Sequence, residues 1–93
     1  MKNFKIGFIG LGLIGGSVAK SIKRIFPGYK IVGYDTDKKT LTVALKDHTL
    51  DVIADNIVPD ITDCDYIFLC APVHYNIEYL RQLGPFLTDS TIL

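Results

Sequence analysis

The chain opens with apolar runs separated by glycine- or acid-rich turns, in the order strand, helix, strand. Phe4–Ile9 has the apolar content of a strand buried at the centre of a parallel sheet. A helix is predicted to begin near Leu13 and to end before Pro27-Gly28, and Lys30–Tyr34 supplies the second strand. The helix is indicated by apolar residues that recur at helical spacing: Ile14, Val18, Ile22 and Ile25 or Phe26.

The same alternation continues in the second half of the chain. Asp37 is expected to cap a second helix, and Leu50–Ala54 is expected to hold a short third strand. One face of the second helix carries Leu41, Ala44, Leu45 and His48. Tyr66–Ala71 is predicted to be a buried fourth strand, followed by a third helix from about His74. The apolar face of that helix comprises Val73, Ile77, Leu80, Leu83 or Gly84, and Leu87.

Right-handed crossovers between parallel strands predict how these elements assemble. Residues 1–93 form one domain, a Rossmann-type three-layer α/β/α fold whose parallel sheet has about five strands in the order 3-2-1-4-5. Thr91-Ile92-Leu93 starts the fifth strand, so we expect the sequence to be part of a longer protein. The order reverses between strands one and four, which places the first turn beside Ala71-Pro72-Val73 and predicts a ligand crevice there.

The first turn has the spacing G-x-G-x-x-G, formed by Gly10, Gly12 and Gly15. Gly10 permits the sharp turn, Gly12 lets a diphosphate approach the backbone, and Gly15 lets the helix pack closely on the strand. The N–H groups of the first helical turn, which includes Leu13 and Ile14, then face the ligand. The spacing therefore predicts a site for a dinucleotide.

Asp35 ends the second strand, twenty residues after Gly15, where a carboxylate meets the adenosine ribose. A carboxylate accepts bonds from both ribose hydroxyls but repels a 2′-phosphate, so NAD is predicted rather than NADP. No arginine closely follows Asp35, although Lys38 and Lys39 are near. FAD is compatible with the fold, but flavoproteins usually carry a longer version that ends in glutamate. A βαβ unit whose glycines serve packing alone is the alternative to a nucleotide site.

Charge and composition argue against a nucleic-acid-binding, membrane-binding, secreted or metal-binding protein. Lys plus Arg and Asp plus Glu number ten each, without a basic stripe for nucleic acid or a polybasic run for a membrane. A secretory signal is disfavoured because five glycines between Gly7 and Gly16 interrupt its apolar helix. Cys64 and Cys70 lack metal-ligand spacing, so we expect buried, reduced thiols in a cytoplasmic protein and no metal site.

The two histidines are expected to be structural. His48 lies near the end of the second helix, and His74 lies in the first turn of the third, just beyond a strand end. We therefore expect surface histidines at helix ends rather than catalytic groups, although the position of His74 would let it approach a ligand.

Three segments together resemble the amino-terminal part of the prephenate dehydrogenase family. They are Gly10-Leu11-Gly12-Leu13-Ile14-Gly15-Gly16-Ser17-Val18-Ala19, Gly33-Tyr34-Asp35 and Cys64-Asp65-Tyr66-Ile67-Phe68-Leu69-Cys70-Ala71-Pro72-Val73. Two positions differ from the family pattern: Ala71 replaces a threonine or serine, and His48 replaces a glycine. We expect backbone contacts to survive at the first and a local adjustment at the second.

The resemblance implies an NAD-dependent oxidative decarboxylation of prephenate to 4-hydroxyphenylpyruvate, in tyrosine biosynthesis. It also implies a helical, dimer-forming substrate domain that carries the catalytic histidine and a substrate-binding arginine, neither of which matches a position here. The chain alone is then expected to bind NAD without turnover. Arogenate dehydrogenase, another hydroxyacid-type dehydrogenase, and a stand-alone NAD-binding or redox-sensing module remain alternatives.

Overall fold

The centre of the molecule is a parallel sheet, seen in a computed structural model that describes residues 3–86 and 91–92. Strand β1 (Lys5–Ile9) lies between β2 (Lys30–Tyr34) and β4 (Tyr66–Leu69), and β3 (Val52–Ile53) flanks β2. The predicted order 3-2-1-4 is confirmed. The two-residue strand β5 (Thr91–Ile92) pairs in parallel with β4.

Three α-helices lie between the strands within the part of the chain that the structure describes. Helix α1 (Gly12–Ile25) begins one residue before the predicted start and ends before Pro27-Gly28. Helix α2 (Lys38–Lys46) is capped as predicted, because the Asp37 side chain accepts a 3.0 Å hydrogen bond from the Lys39 amide. Helix α3 (Val73–Leu83) follows β4. Among the described residues, no helix is long and apolar enough to cross a membrane.

Two apolar clusters cover opposite faces of the sheet. Successive strand residues point to opposite faces, so Phe8 of β1 belongs to one cluster and Ile9 to the other. The first cluster contains residues of α1 and α2, including Ala19 and Leu41. The second contains Leu83 of α3 and two residues of an irregular helical turn, Ile57 and Ile61. Helices α1 and α2 thus lie on one face of the sheet, and α3 lies on the other.

The predicted apolar face of α1 is only partly buried. Val18 and Ile22 are half-buried and pack against the first cluster. Gly15 and Ala19 are its buried residues, whereas Ile14 is 76% exposed and Ile25 is 62% exposed. A Cβ on Gly15 would lie 2.8 Å from the Gly10 carbonyl oxygen and 3.3 Å from the Cys70 Cβ. The helix therefore approaches the sheet along its smallest residues, and the larger apolar side chains flank the contact.

The predicted faces of α2 and α3 are also only partly buried. Leu41 and Ala44 are in the core, but Leu45 and His48 are exposed. On α3 Leu83 is fully buried. The side chains of Ile77 and Leu80 are exposed, and the described part of the second cluster meets this helix at Leu83 and Tyr79. Leu87 and the side chain of Val73 lie outside the described residues.

Candidate functional site

Gly10 makes a turn that no other residue fits. Its φ is +81°, in the left-handed region that side chains rarely adopt. A Cβ at this position would lie 2.6 Å from the Ala71 amide nitrogen, so the turn lies directly against the end of β4. Its own amide donates a 2.8 Å hydrogen bond to the Tyr34 carbonyl oxygen. The turn is therefore anchored between β2 and β4, as the sequence predicts for the switch point.

Gly12 opens the first turn of α1 to the surrounding space. Its φ is +46°, and apart from its chain neighbours and the backbone of its own helix no atom lies within 4 Å of the position that a Cβ would occupy. The N-cap residue Leu11 provides no side-chain hydrogen bond, and the first turn contains no acidic residue. By contrast, Asp37 caps α2. The amides at the start of α1 and the positive end of its dipole thus remain suited to an anion.

Asp35 joins the glycine turn to the loop after β2. Its Oδ2 accepts a 2.9 Å hydrogen bond from the Leu11 amide, and its Oδ1 accepts one of 2.9 Å from the Asp37 amide. A carboxylate has about four acceptor positions, so each oxygen keeps one for a further donor. The carboxylate is half-buried, and its residue lines the same cavity as Gly12.

A cavity of about 400 Å³ lies between the glycine turn, the end of β2 and the start of α3. It brings together five of the predicted site residues: Gly10, Gly12, Asp35, Ala71 and Pro72. Gly15 packs beneath it, and Leu13 and Ile14 are exposed at the first turn of α1 without lining it. Val73 begins α3 next to the cavity wall.

Sequence reasoning missed five residues of the lining: Leu11, Thr36, Cys70, Tyr75 and Tyr79. The two tyrosines are four residues apart on α3, one helical turn after the strand end, and that spacing predicts a shared face. The Tyr79 ring lies edge-on to Tyr34 with 6.3 Å between centroids. Burial raises the pKa of the Tyr79 hydroxyl, and Tyr34, Asp35 and Tyr75 raise it further.

Both cysteines are free thiols, and His74 lies in the first turn of α3. Neither cysteine forms a disulfide; Cys64 is buried and Cys70, half-buried, backs the cavity. Burial raises the pKa of the Cys70 thiol, which opposes formation of a reactive thiolate. His74 is exposed beside the Tyr75 ring, 4.2 Å between centroids. Across residues 3–86 and 91–92, no cluster of three His, Cys, Asp or Glu residues suits a metal ion.

The sheet order, the anchored glycine turn and the carboxylate at the end of β2 define a Rossmann-like nucleotide-binding domain. A family model described as "Prephenate dehydrogenase, nucleotide-binding domain" matches residues 18–93. The chain belongs to this family.

Individual relatives agree with this assignment. Prephenate dehydrogenase of Bacillus subtilis is 35% identical over 75 residues, which cover 81% of this chain and 20% of that protein. The Aquifex aeolicus prephenate dehydrogenase, solved with hydroxyphenyl propionate and NAD+, superimposes with a TM-score of 0.87 at 28% identity. That match covers 99% of this chain and 33% of the other.

A third relative is an arogenate dehydrogenase. The structure of Synechocystis arogenate dehydrogenase matches with a TM-score of 0.83 at 29% identity, covering 95% of this chain and 31% of that one. The chain thus spans between 20% and 33% of the lengths of these three relatives.

Proposed function

We propose that this chain binds NAD in the cavity between the glycine turn and the start of α3. The observation that carries the proposal is the position of Gly12. It leaves the uncapped start of α1 open, in the same cavity as a carboxylate that retains acceptor capacity. Membership of the nucleotide-binding family and the NAD+ in the Aquifex relative support the choice of ligand.

Each part of the site has a separate task. The diphosphate lies against Gly12 and the first-turn amides of Leu13 and Ile14, where the helix dipole favours negative charge. The adenosine ribose donates to Asp35, and residues 71–73 form the opposite wall. When bound, NAD supplies a hydride acceptor; the residues of this chain bind it and orient it.

Asp35 is also the residue that favours NAD over NADP. Its carboxylate is held by the Leu11 and Asp37 amides and cannot turn away without breaking those bonds. A 2′-phosphate would meet this negative charge and lose the hydrogen bonds that the ribose hydroxyl makes. Bonds to a charged group are worth about 1.5–3 kcal/mol each.

The wider activity that we propose is that of prephenate dehydrogenase, the oxidative decarboxylation of prephenate in tyrosine biosynthesis. In that role this chain supplies the cofactor half of a cytoplasmic enzyme. A helical domain that dimerises supplies the substrate-binding and catalytic groups. We assign no catalytic residue within residues 1–93, and the 93-residue chain alone is expected to bind NAD without turning over prephenate.

Arogenate dehydrogenase is the second candidate. It is favoured by the Synechocystis structure, whose TM-score of 0.83 is close to that of the prephenate dehydrogenase from Aquifex. The two substrates differ in their side chain, which carries a keto group in prephenate and an amino group in arogenate. That group lies far from the ring carbon that gives its hydride to the nicotinamide. The nucleotide site is the same for both.

Calorimetric titration of the chain with NAD and with NADP tests the binding proposal. We expect NAD to bind and NADP to bind at least tenfold more weakly. The absence of a binding heat with either nucleotide would refute the binding proposal. Turnover of prephenate and of arogenate by a protein that joins this chain to a substrate domain then separates the two activities, and turnover of neither would refute both.

A further inference from the structure

The wall of the nucleotide cavity opposite Asp35 begins where the hydrogen bonds of the sheet end. The Cys70 amide donates to the Ile9 carbonyl oxygen at 2.9 Å, which is the last bond that ties this part of β4 to β1. Helix α3 begins at Val73, and its first carbonyl acceptor is Pro72, which bonds the Tyr75 and Asn76 amides. The Ala71 carbonyl therefore lies between the sheet and the helix and belongs to neither bond pattern.

One side chain fills this gap. The Asn76 Nδ2 donates a 2.8 Å hydrogen bond to the Ala71 carbonyl oxygen, across five residues of chain. Because a carbonyl only accepts, the amide nitrogen must face it, and the orientation of the Asn76 side chain is determined. This bond fastens Ala71 to the first turns of α3.

The position of Ala71 in turn controls the glycine turn. A Cβ on Gly10 would lie 2.6 Å from the Ala71 amide nitrogen and 2.8 Å from its Cα, so the two backbones are in close contact. Movement of Ala71 would displace Gly10, and with it the start of α1 at Gly12. A misplacement of about 1 Å in an active site can cost about 100-fold in rate, and we expect nucleotide affinity to be sensitive to the position of the glycine turn as well.

The oxygen of the same side chain gives an independent indication. The Asn76 Oδ1 is buried and has no hydrogen-bond partner among the described residues. A buried acceptor without a donor destabilises the folded state, and an apolar side chain of the same shape would avoid that loss. Through its unpaired oxygen, Asn76 therefore lowers the stability of the fold. This indicates that its hydrogen bond to Ala71 has a purpose other than stability.

We propose that Asn76 is a positioning residue of the nucleotide site, which holds the Ala71–Pro72 wall against the glycine turn through its Nδ2 donor. The inference rests on the proposed NAD site and extends it to a residue that does not line the cavity. Asn76 acts through Ala71, and we give it no direct contact with the nucleotide.

The test is the variant Asn76→Leu, which keeps the approximate shape and removes both the donor and the orphaned acceptor. We expect the Kd for NAD to rise at least tenfold. The melting temperature should change little, because losing the unpaired Oδ1 stabilises the fold while losing the donor to the Ala71 carbonyl destabilises it. A merely structural asparagine would change stability without changing the Kd. The matched control is Gln82→Leu, an amide-to-leucine change at an exposed position of the same helix, which should leave the Kd unchanged.

A spectroscopic signature accompanies the change in affinity. In the nucleotide-free protein, Asn76→Leu should shift the NMR signals of the Ala71 carbonyl carbon and of the Gly10 and Gly12 amides, and Gln82→Leu should not. If the leucine variant does not fold, Asn76→Ala gives the same comparison, since alanine removes the donor and favours the helix.

The outcomes separate this inference from the proposed function. Wild-type protein that does not bind NAD refutes the proposed site and this inference with it. Wild-type protein that binds NAD, with a variant Kd within twofold of it and unshifted Gly10 and Gly12 signals, refutes the role of Asn76 alone.

Discussion

Gly12 and Gly16 lie four residues apart on α1, and at both positions a Cβ would meet no atom within 4 Å outside its own helix and chain neighbours. They differ in backbone conformation and in surroundings. Gly12 has φ +46° and lines the nucleotide cavity, whereas Gly16 lies inside the helix and outside that cavity. Glycine therefore lets a ligand approach the backbone at position 12, whereas at position 16 it only lowers the stability of the helix.

This difference predicts opposite results for one substitution. Gly12→Ala should cost about 1–2 kcal/mol of stability because of its positive φ, and should abolish measurable NAD binding because the methyl group enters the diphosphate position. Gly16→Ala should stabilise the protein by about 0.5–1 kcal/mol and leave NAD binding unchanged. Urea unfolding and calorimetric titration measure the two quantities. Normal NAD affinity in the Gly12 variant would exclude the glycine turn from the site.

Asp35 combines ligand binding with the support of the glycine turn. Asp35→Ala removes the acceptor for the ribose and also the bond from the Leu11 amide. We expect NAD affinity to fall about 10- to 100-fold, which corresponds to one or two lost charged hydrogen bonds, and the preference over NADP to shrink. Titration with both nucleotides measures this, with the exposed Asp63→Ala as control. Equal NAD affinities in the Asp35 variant and the wild type would contradict the assignment.

At the scale of single elements, the turn after α2 carries a backbone strain that the sequence suggested. His48 has φ +65°, the conformation that glycine adopts most easily at a helix end. His48→Gly should therefore raise the free energy of unfolding by about 0.5–1 kcal/mol. His74→Gly, at an ordinary helical position of α3, should lower it. Urea unfolding of both variants is the measurement; a destabilised His48 variant would show that its side chain contributes more than the strain costs.

The segment before β4 contains a buried thiol whose ionisation is coupled to folding. Burial raises the pKa of Cys64 from 9.0 to about 11. Below about pH 9 the thiol is protonated in both states and its contribution to stability is complete. Between pH 9 and 11 the unfolded chain loses the proton first, so the free energy of unfolding falls by up to about 1.4 kcal/mol per pH unit.

Cys64→Ala isolates this contribution from other alkaline titrations. The variant should be less stable at pH 8, because it leaves space beside Gly7, but its stability should decline less steeply between pH 9 and 11. Urea unfolding across that range gives both slopes. Parallel slopes would mean that the Cys64 thiol ionises equally easily in the folded protein.

For the whole molecule, nucleotide binding should appear as stability, because the site is assembled only in the folded chain. NAD at a hundred times its Kd adds about 2.7 kcal/mol to the free energy of unfolding. For a domain of this size that raises the melting temperature by about 10–20 °C. Differential scanning calorimetry measures the increase, and Gly12→Ala should remove it. A melting temperature independent of NAD would contradict the proposed site.

Some features of the site and of the core could be predicted from the sequence, and others could not. Gly10 and Asp35 were placed by sequence because their chemistry depends on spacing along the chain. The cavity residues Tyr75 and Tyr79 were missed because their role depends on where α3 lies over the sheet. The apolar spacing of α1 correctly predicts that Val18 and Ile22 face the core, but the most buried residues are Gly15 and Ala19, since apolar periodicity does not reveal how closely a helix approaches a strand.

By itself the sequence determined the order of strands and helices, the glycine turn, the Asp37 cap and the tolerance of His48 for a left-handed backbone. These are local properties, set by periodicity and by the steric limits of single residues. Only the tertiary structure decided that Asp35 holds the Leu11 amide, that Asn76 holds the Ala71 carbonyl, and that the two strand ends enclose one cavity. Hydrogen bonds between distant residues depend on three-dimensional distances, which no pattern along the chain specifies.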